Sequence, residues 1–223
     1  MPLPVLWILF ILLALIHLFT CYRDLTRLRD GTKSLLLLFL AALYLCGARH
    51  FRPMVLAALL LGCLGDTLLI WGERGSAYQL QFFGGAAAFA LGHLAYLAAL
   101  CSIAPPLAAP AFLIPAFGLM LLGPALLFLK IRHGIPALFR YPSMLYGVII
   151  ALMAALALQF LYCTRTLPSL LIGIGMLCFV LSDSLLTYCM FGKQQKTPGL
   201  YGTVMLFYIL AQGLLTEGFS LLP

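Results

Sequence analysis

Apolar residues run along this chain in long blocks, separated by short stretches that hold most of the charged residues. A membrane-spanning helix needs about 20 predominantly apolar residues, with a range of about 17 to 25. The pattern predicts eight such helices, at about 4–21, 34–48, 54–71, 79–100, 111–129, 143–162, 168–191 and 200–220, with seven as the alternative count. The second block is short. The fifth carries Pro110, Pro115 and Pro124, which predict a kink or a split.

Composition turns these blocks into a fold class. Of 223 residues, 64% are hydrophobic and 9% charged, with a mean hydropathy of +1.12. Soluble domains carry about 25% charged residues. A water-soluble globule is excluded, because so little polar surface cannot coat one, and most of the outside must face lipid. The expectation is an all-α, polytopic membrane protein, a single helical domain over residues 1–223. The first block lacks the basic leader and small-residue cleavage site of a signal peptide, so it is read as a first spanning helix.

The net charge of +7 comes from short loops between helices, where it sets orientation and implies no nucleic-acid partner. With eight spans, ten Lys and Arg fall on one side, in the loops around residues 23–33, 74, 130–140 and 193–196. Three fall on the other: Arg49, Arg52 and Arg165. The positive-inside rule puts the first side in the cytoplasm and both termini outside. The seven cysteines form no CxxC or metal-spaced cluster and read as small buried hydrophobes.

Acidic residues carry the chemistry. Asp24, Asp30 and Glu73 are expected in loops, and Glu217 lies near the end of the last helix. Asp66 and Asp183 fall inside apolar spans, where an ionised carboxylate costs about 2.5 to 3.5 kcal/mol on insertion scales. Their surroundings match: Gly65-Asp66-Thr67-Leu68-Leu69-Ile70-Trp71 against Ser182-Asp183-Ser184-Leu185-Leu186-Thr187-Tyr188. The two copies fall in the third and seventh spans, as expected if a four-helix unit were duplicated in parallel, although the halves share little else. Asp66 precedes Trp71 by five residues and Asp183 precedes Phe191 by eight. At about 1.5 Å per residue both sit about 8 to 12 Å below one boundary. Either could simply tie helices together, but two carboxyls at one depth point to function. Away from water one of them is expected to keep its proton, giving a proton donor beside a carboxylate. Gly62 and Gly65 leave room for a neighbouring helix or a lipid chain.

Helices entering from the same side bring Tyr146 and Tyr208 to that depth, and Lys33, at the mouth of the second span, could snorkel to a lipid phosphate. His93 lies about 20 Å up the fourth span, too high for direct contact with Asp66 without tilt or sliding. His17, His50 and His133 have no evident partner.

An ordered set of motifs resembles the YhhN-like membrane proteins, which include the lysoplasmalogenases. It comprises Thr32-Lys33-Ser34-Leu35, Gly65-Asp66-Thr67-Leu68-Leu69, Phe82 with Gly85, Phe89, His93 and Tyr96, Tyr146-Gly147-Val148-Ile149 with Met153, Ser182-Asp183 after Gly173 and Phe179, and Tyr208 with Ala211-Gln212. Ser34 stands where the family usually has proline, a change expected at the helix start, where serine can cap. The resemblance implies hydrolysis of the vinyl ether bond of a lysoplasmalogen, a lysophospholipid, to a fatty aldehyde and a glycerophospho-base. Asp66 and Asp183 would be catalytic, and Lys33, Tyr146, Tyr208, His93, Tyr96 and Gln212 would bind substrate. It implies no metal or organic cofactor, membrane lipids as the surroundings, and a multi-pass location; between a bacterial plasma membrane and an endoplasmic reticulum, the compact chain with short tails points to the former.

Three alternatives stay open on sequence alone. Leu64-Gly65-Asp66 resembles the GxGD signature of intramembrane aspartyl proteases, but position 63 is Cys and no Tyr-Asp precedes it. A proton-coupled transporter would use the carboxyls as relays and the proline-rich fifth span as a broken helix. A lysolipid-binding protein without activity would share the same residues.

Overall fold

The computed structural model describes residues 3–72, 78–103, 110–192 and 197–223. They form α1 (Leu3–Tyr22), α2 (Thr26–Gly47), α3 (Pro53–Gly72), α4 (Tyr78–Ile103), α5 (Pro110–Ile131), α6 (Ala137–Thr164), α7 (Leu167–Phe191) and α8 (Pro198–Ser220). All eight are long and apolar enough to cross a membrane, and no strand occurs among the described residues. Large side chains such as Ile8, Leu15, Phe19, Leu122 and Leu126 are exposed. Such a surface suits lipid, where apolar exposure carries no hydration cost.

Helix ends follow local chemistry. Arg165 adopts a left-handed conformation at the end of α6. Thr166 then opens α7 with a capping box completed by Ser169, with Pro168 in the first turn. Thr197 caps α8 ahead of Pro198.

Several expectations are corrected. α2 starts at Thr26, not near residue 34, so Arg27, Arg29, Asp30 and Lys33 are helical rather than in a loop. Residues 26–33 are polar but contain no proline, so nothing stops a helix there. Ser34 therefore lies inside α2 and caps nothing; its hydroxyl meets Thr67 Oγ1 at 2.9 Å. α6 starts at Ala137 and carries Pro142 within it. α5 is one helix, with Pro110 as its first residue and Pro115 and Pro124 inside. Each internal proline forfeits one backbone bond, which is too little to divide it. Cysteines are not uniformly buried either: Cys46, Cys101 and Cys163 are exposed. Glu73, Arg74, Lys193 and Lys196 lie outside the described residues.

Six helices close a ring in the order α2, α3, α4, α6, α7, α8 and back to α2. α1 packs outside against α2 and α8, and α5 packs outside against α6 and α7. The α3–α4 and α7–α8 hairpins are each sealed at a glycine. A Cβ on Gly92 would lie 3.3 Å from the Ala58 carbonyl oxygen, and one on Gly175 would lie 3.2 Å from that of Ala211. Close approach of this kind is the usual role of small residues between membrane helices. A half-turn of the ring exchanges α2, α3 and α4 with α6, α7 and α8, consistent with a duplicated four-helix unit.

Candidate active site

Asp66 and Asp183 project from α3 and α7, and each is held by side chains from two other ring helices. Asp66 is 1% exposed. Its Oδ1 lies 3.0 Å from Lys33 Nζ of α2, and its Oδ2 accepts a 2.8 Å hydrogen bond from Tyr208 of α8. Asp183 Oδ2 accepts a 2.6 Å bond from Tyr146 of α6 and lies 3.4 Å from His93 Nε2 of α4. His93 Nε2 is also 2.9 Å from the Tyr146 hydroxyl. The half-turn therefore maps one triad onto the other: Lys33 onto Tyr146, Asp66 onto Asp183, Tyr208 onto His93.

The triads adjoin. Phe179 packs edge-on against both His93, at 4.7 Å between ring centroids, and Tyr208, at 5.8 Å. Each carboxyl lies within electrostatic reach of the tyrosine that bonds the other.

Two positions differ from the sequence expectation. Lys33 does not sit at a helix mouth facing lipid headgroups. With α2 starting eight residues earlier it lies inside the helix, buried, with its ammonium on Asp66. His93, expected too high to touch Asp66, meets Asp183 instead. Side chains lean toward the N-terminus of their own helix. His93 on α4 and Asp183 on the antiparallel α7 therefore lean toward each other, which the count of residues along each axis omits.

Tyr96 and Gln212 bond to one another, with the Tyr96 hydroxyl donating to Gln212 Oε1 at 2.7 Å. Both are buried and tie α4 to α8. The space beside Gly65 goes to protein rather than lipid: an added Cβ would lie 2.7 Å from Phe89.

A cavity of about 620 Å³ opens between α4, α5, α6 and α7. Its walls are mainly apolar, with Phe82, Phe83, Ala90, Leu121, Ile150 and Val180 among them, and its polar lining includes Ser143, Tyr146, Asp183, Ser184 and Thr187. Asp66, Lys33, His93 and Tyr208 do not line it. Asp183 is thus the carboxyl that meets the cavity. Its Oδ2 is engaged by Tyr146, whereas its Oδ1 has no hydrogen-bond partner among the described residues. Both oxygens of Asp66, in contrast, are occupied by donors.

A second polar cluster was not legible beforehand. His17 is fully buried in α1, with Nδ1 2.7 Å from Thr32 Oγ1 and Nε2 3.4 Å from Cys21 Sγ. The i, i+4 spacing of His17 and Cys21 was the available signal. No group of three or more His, Cys, Asp or Glu suited to hold a metal ion occurs among the described residues.

Compared with known proteins, residues 28–219 match the family described as the YhhN family. Neither a curated protein nor a solved structure is significantly similar to the chain.

Proposed function

The chain belongs to the YhhN family, which includes lysoplasmalogenases, and on that footing we propose that it hydrolyses the vinyl ether bond of a lysoplasmalogen inside the bilayer. The observation that carries this reading is the lone carboxyl of Asp183 at an apolar cavity of about 620 Å³, a volume in the range of small-molecule sites.

The reaction needs one proton donor and one carboxylate. Asp66 suits the carboxylate, since Lys33 and Tyr208 donate to both of its oxygens and leave no place for a proton. Asp183 suits the acid, carrying its proton on Oδ1. That proton passes to the terminal alkene carbon of the vinyl ether, and the electron pair on the ether oxygen completes an oxocarbenium ion. Water adds to the cationic carbon and yields its proton to Asp183, restoring the acid. The resulting hemiacetal collapses to the fatty aldehyde and a glycerophospho-base. Asp66 acts from beneath the cavity by its charge, stabilising the cation. Tyr146, with His93 behind it, fixes the Asp183 rotamer so that Oδ1 points at the substrate. The lining reaches Phe128, Leu129, Phe139 and Phe191 at the end of the bundle expected in the cytoplasm, and water would enter from there.

The test is aldehyde release from lysoplasmalogen by the purified protein beside Asp66→Asn and Asp183→Asn. Wild type is expected to release aldehyde and Asp183→Asn to lose it by at least about a thousandfold. Full activity in both variants overturns the mechanism, and silence of the wild type overturns the hydrolase reading.

A further inference from the structure

A lysophospholipid in this cavity must place a phosphate somewhere, and Lys33, the residue first expected to meet it, is committed to Asp66 and absent from the lining. Three other cations adjoin the cavity lining at the α5–α6 end. Lys130 follows the lining residues Phe128 and Leu129, Arg140 follows the lining residue Phe139, and Arg132 lies on the turn between them. All three are exposed. Arg140 Nε donates to the Ile135 carbonyl, Arg132 Nε to His133 Nε2, and Lys130 lies 5.7 Å from the centroid of the Tyr188 ring. None has an acidic partner among the described residues.

The turn that carries them is fixed. Ile131 and Ile135 are buried on either side of it, and Gly134 lies so close to the Phe191 carbonyl oxygen at the end of α7 that a Cβ has no room there. Phe139 stacks on Phe83 at 4.4 Å, closing the rim from the α4 side. The turn that carries the cations is therefore held beside the cavity lining, whereas loop charges that serve only orientation need no such anchoring.

From these observations we infer that Lys130, Arg132 and Arg140 form a phosphate subsite at the cavity mouth, which receives the headgroup phosphate of a single-chain lipid whose tail lies in the cavity. The inference deepens the proposed function and rests on it for the identity of the tail-bearing ligand. The lengths agree. Asp183 precedes Phe191 by eight residues, about 12 Å of helix. Six bonds separate the vinyl ether carbon from phosphorus, about 7 Å, and a Lys or Arg stem adds about 6 Å. Beyond Asp183 the apolar lining continues to Val180 and Ile150, where the tail would lie.

The test measures binding, not turnover, on the full chain in phosphatidylcholine nanodiscs. The probes are a saturated 1-O-alkyl-glycero-3-phosphoethanolamine, which cannot be hydrolysed, the matching 1-O-alkylglycerol without phosphate, and inorganic phosphate. The expected result for Lys130→Gln, Arg132→Gln and Arg140→Gln is weaker binding of the phospholipid probe, by about three- to tenfold each and about a hundredfold together. The alkylglycerol is unchanged, and Arg23→Gln, a cation on the α1–α2 turn, changes neither. Equal binding of the phospholipid probe by wild type and the triple variant overturns the subsite, as does parallel loss of both lipids or failure of wild type to bind either. Inorganic phosphate binding as tightly as the lipid probe overturns its assignment to a lipid headgroup. Wild type that binds the phospholipid probe but releases no aldehyde from lysoplasmalogen upholds the subsite while the hydrolase reading falls.

Discussion

Replacing Lys33 by Met removes the charge that faces Asp66 while keeping the stem that packs between α2 and α3. The pair spans 3.0 Å, and its side chains are 11% and 2% exposed, so water does little to screen either charge. Removing one partner of a buried pair costs about 3 to 5 kcal/mol, because the other is left buried and uncompensated. The lower value, about 3 kcal/mol, is expected here, since Tyr208 still donates to Asp66 Oδ2. Asp66→Asn in the Lys33→Met background removes the stranded charge and keeps an acceptor for Tyr208. That double variant should lie within about 1 kcal/mol of wild type, which gives a coupling of at least about 2 kcal/mol in a double-mutant cycle. The assay is reversible unfolding in mixed micelles titrated with sodium dodecyl sulfate, read by far-UV circular dichroism. A Lys33→Met protein within 0.5 kcal/mol of wild type, or strict additivity of the two changes, would refute the reasoning, for then Asp66 is not held as a carboxylate by Lys33.

Tyr146→Phe removes the 2.6 Å bond to Asp183 and frees its rotamer; kcat should fall about tenfold to a hundredfold with KM little changed, and equal loss in both parameters would assign Tyr146 to binding instead. Ala90→Phe projects a ring into the cavity. Steady-state kinetics with a chain-length series should show KM rising about tenfold for long-chain substrate and little for short chains, and a uniform effect would place the tail elsewhere. Gly175→Leu has no room against Leu215 and the Ala211 carbonyl; the α7–α8 hairpin should lose at least about 2 kcal/mol by the same unfolding assay.

The eight helices were legible because lipid demands long apolar runs, and each left its run in the sequence. Their ends were less so. A hydropathy window places the start of α2 where apolar residues begin, but the helix takes in the polar turn before it, because helical hydrogen bonding continues wherever no proline interrupts it. That single shift turns Lys33 from a headgroup anchor into the partner of Asp66. The two aspartates stood out because a charge in lipid is rare, and Tyr146 and Tyr208 could be placed by counting residues from the helix ends. Three-body facts were out of reach. Which tyrosine bonds which aspartate, that Phe179 packs between His93 and Tyr208, and that Tyr96 pairs with Gln212 all depend on ring order, and no periodicity encodes ring order.

The departure from symmetry explains why two matching aspartates face different surroundings. α1 lies in the groove between α2 and α8, beside the Asp66 triad. The half-turn would set α5 in the corresponding groove between α6 and α4, yet α5 packs on α6 and α7 and makes no close backbone approach to α4. The unfilled groove is the cavity, walled by α4 on one side and α5 on the other. Displacement of one peripheral helix thus opens the Asp183 half while the Asp66 half stays packed. The partners follow the same division. The sealed carboxyl has an ammonium, as an ionised group in a dry site must. The open one has a phenol and an imidazole, which orient a carboxyl without committing both of its oxygens. An arrangement that kept α1 and α5 equivalent would give both carboxyls the same surroundings, whereas the proposed mechanism needs them different, one a proton donor and the other a carboxylate.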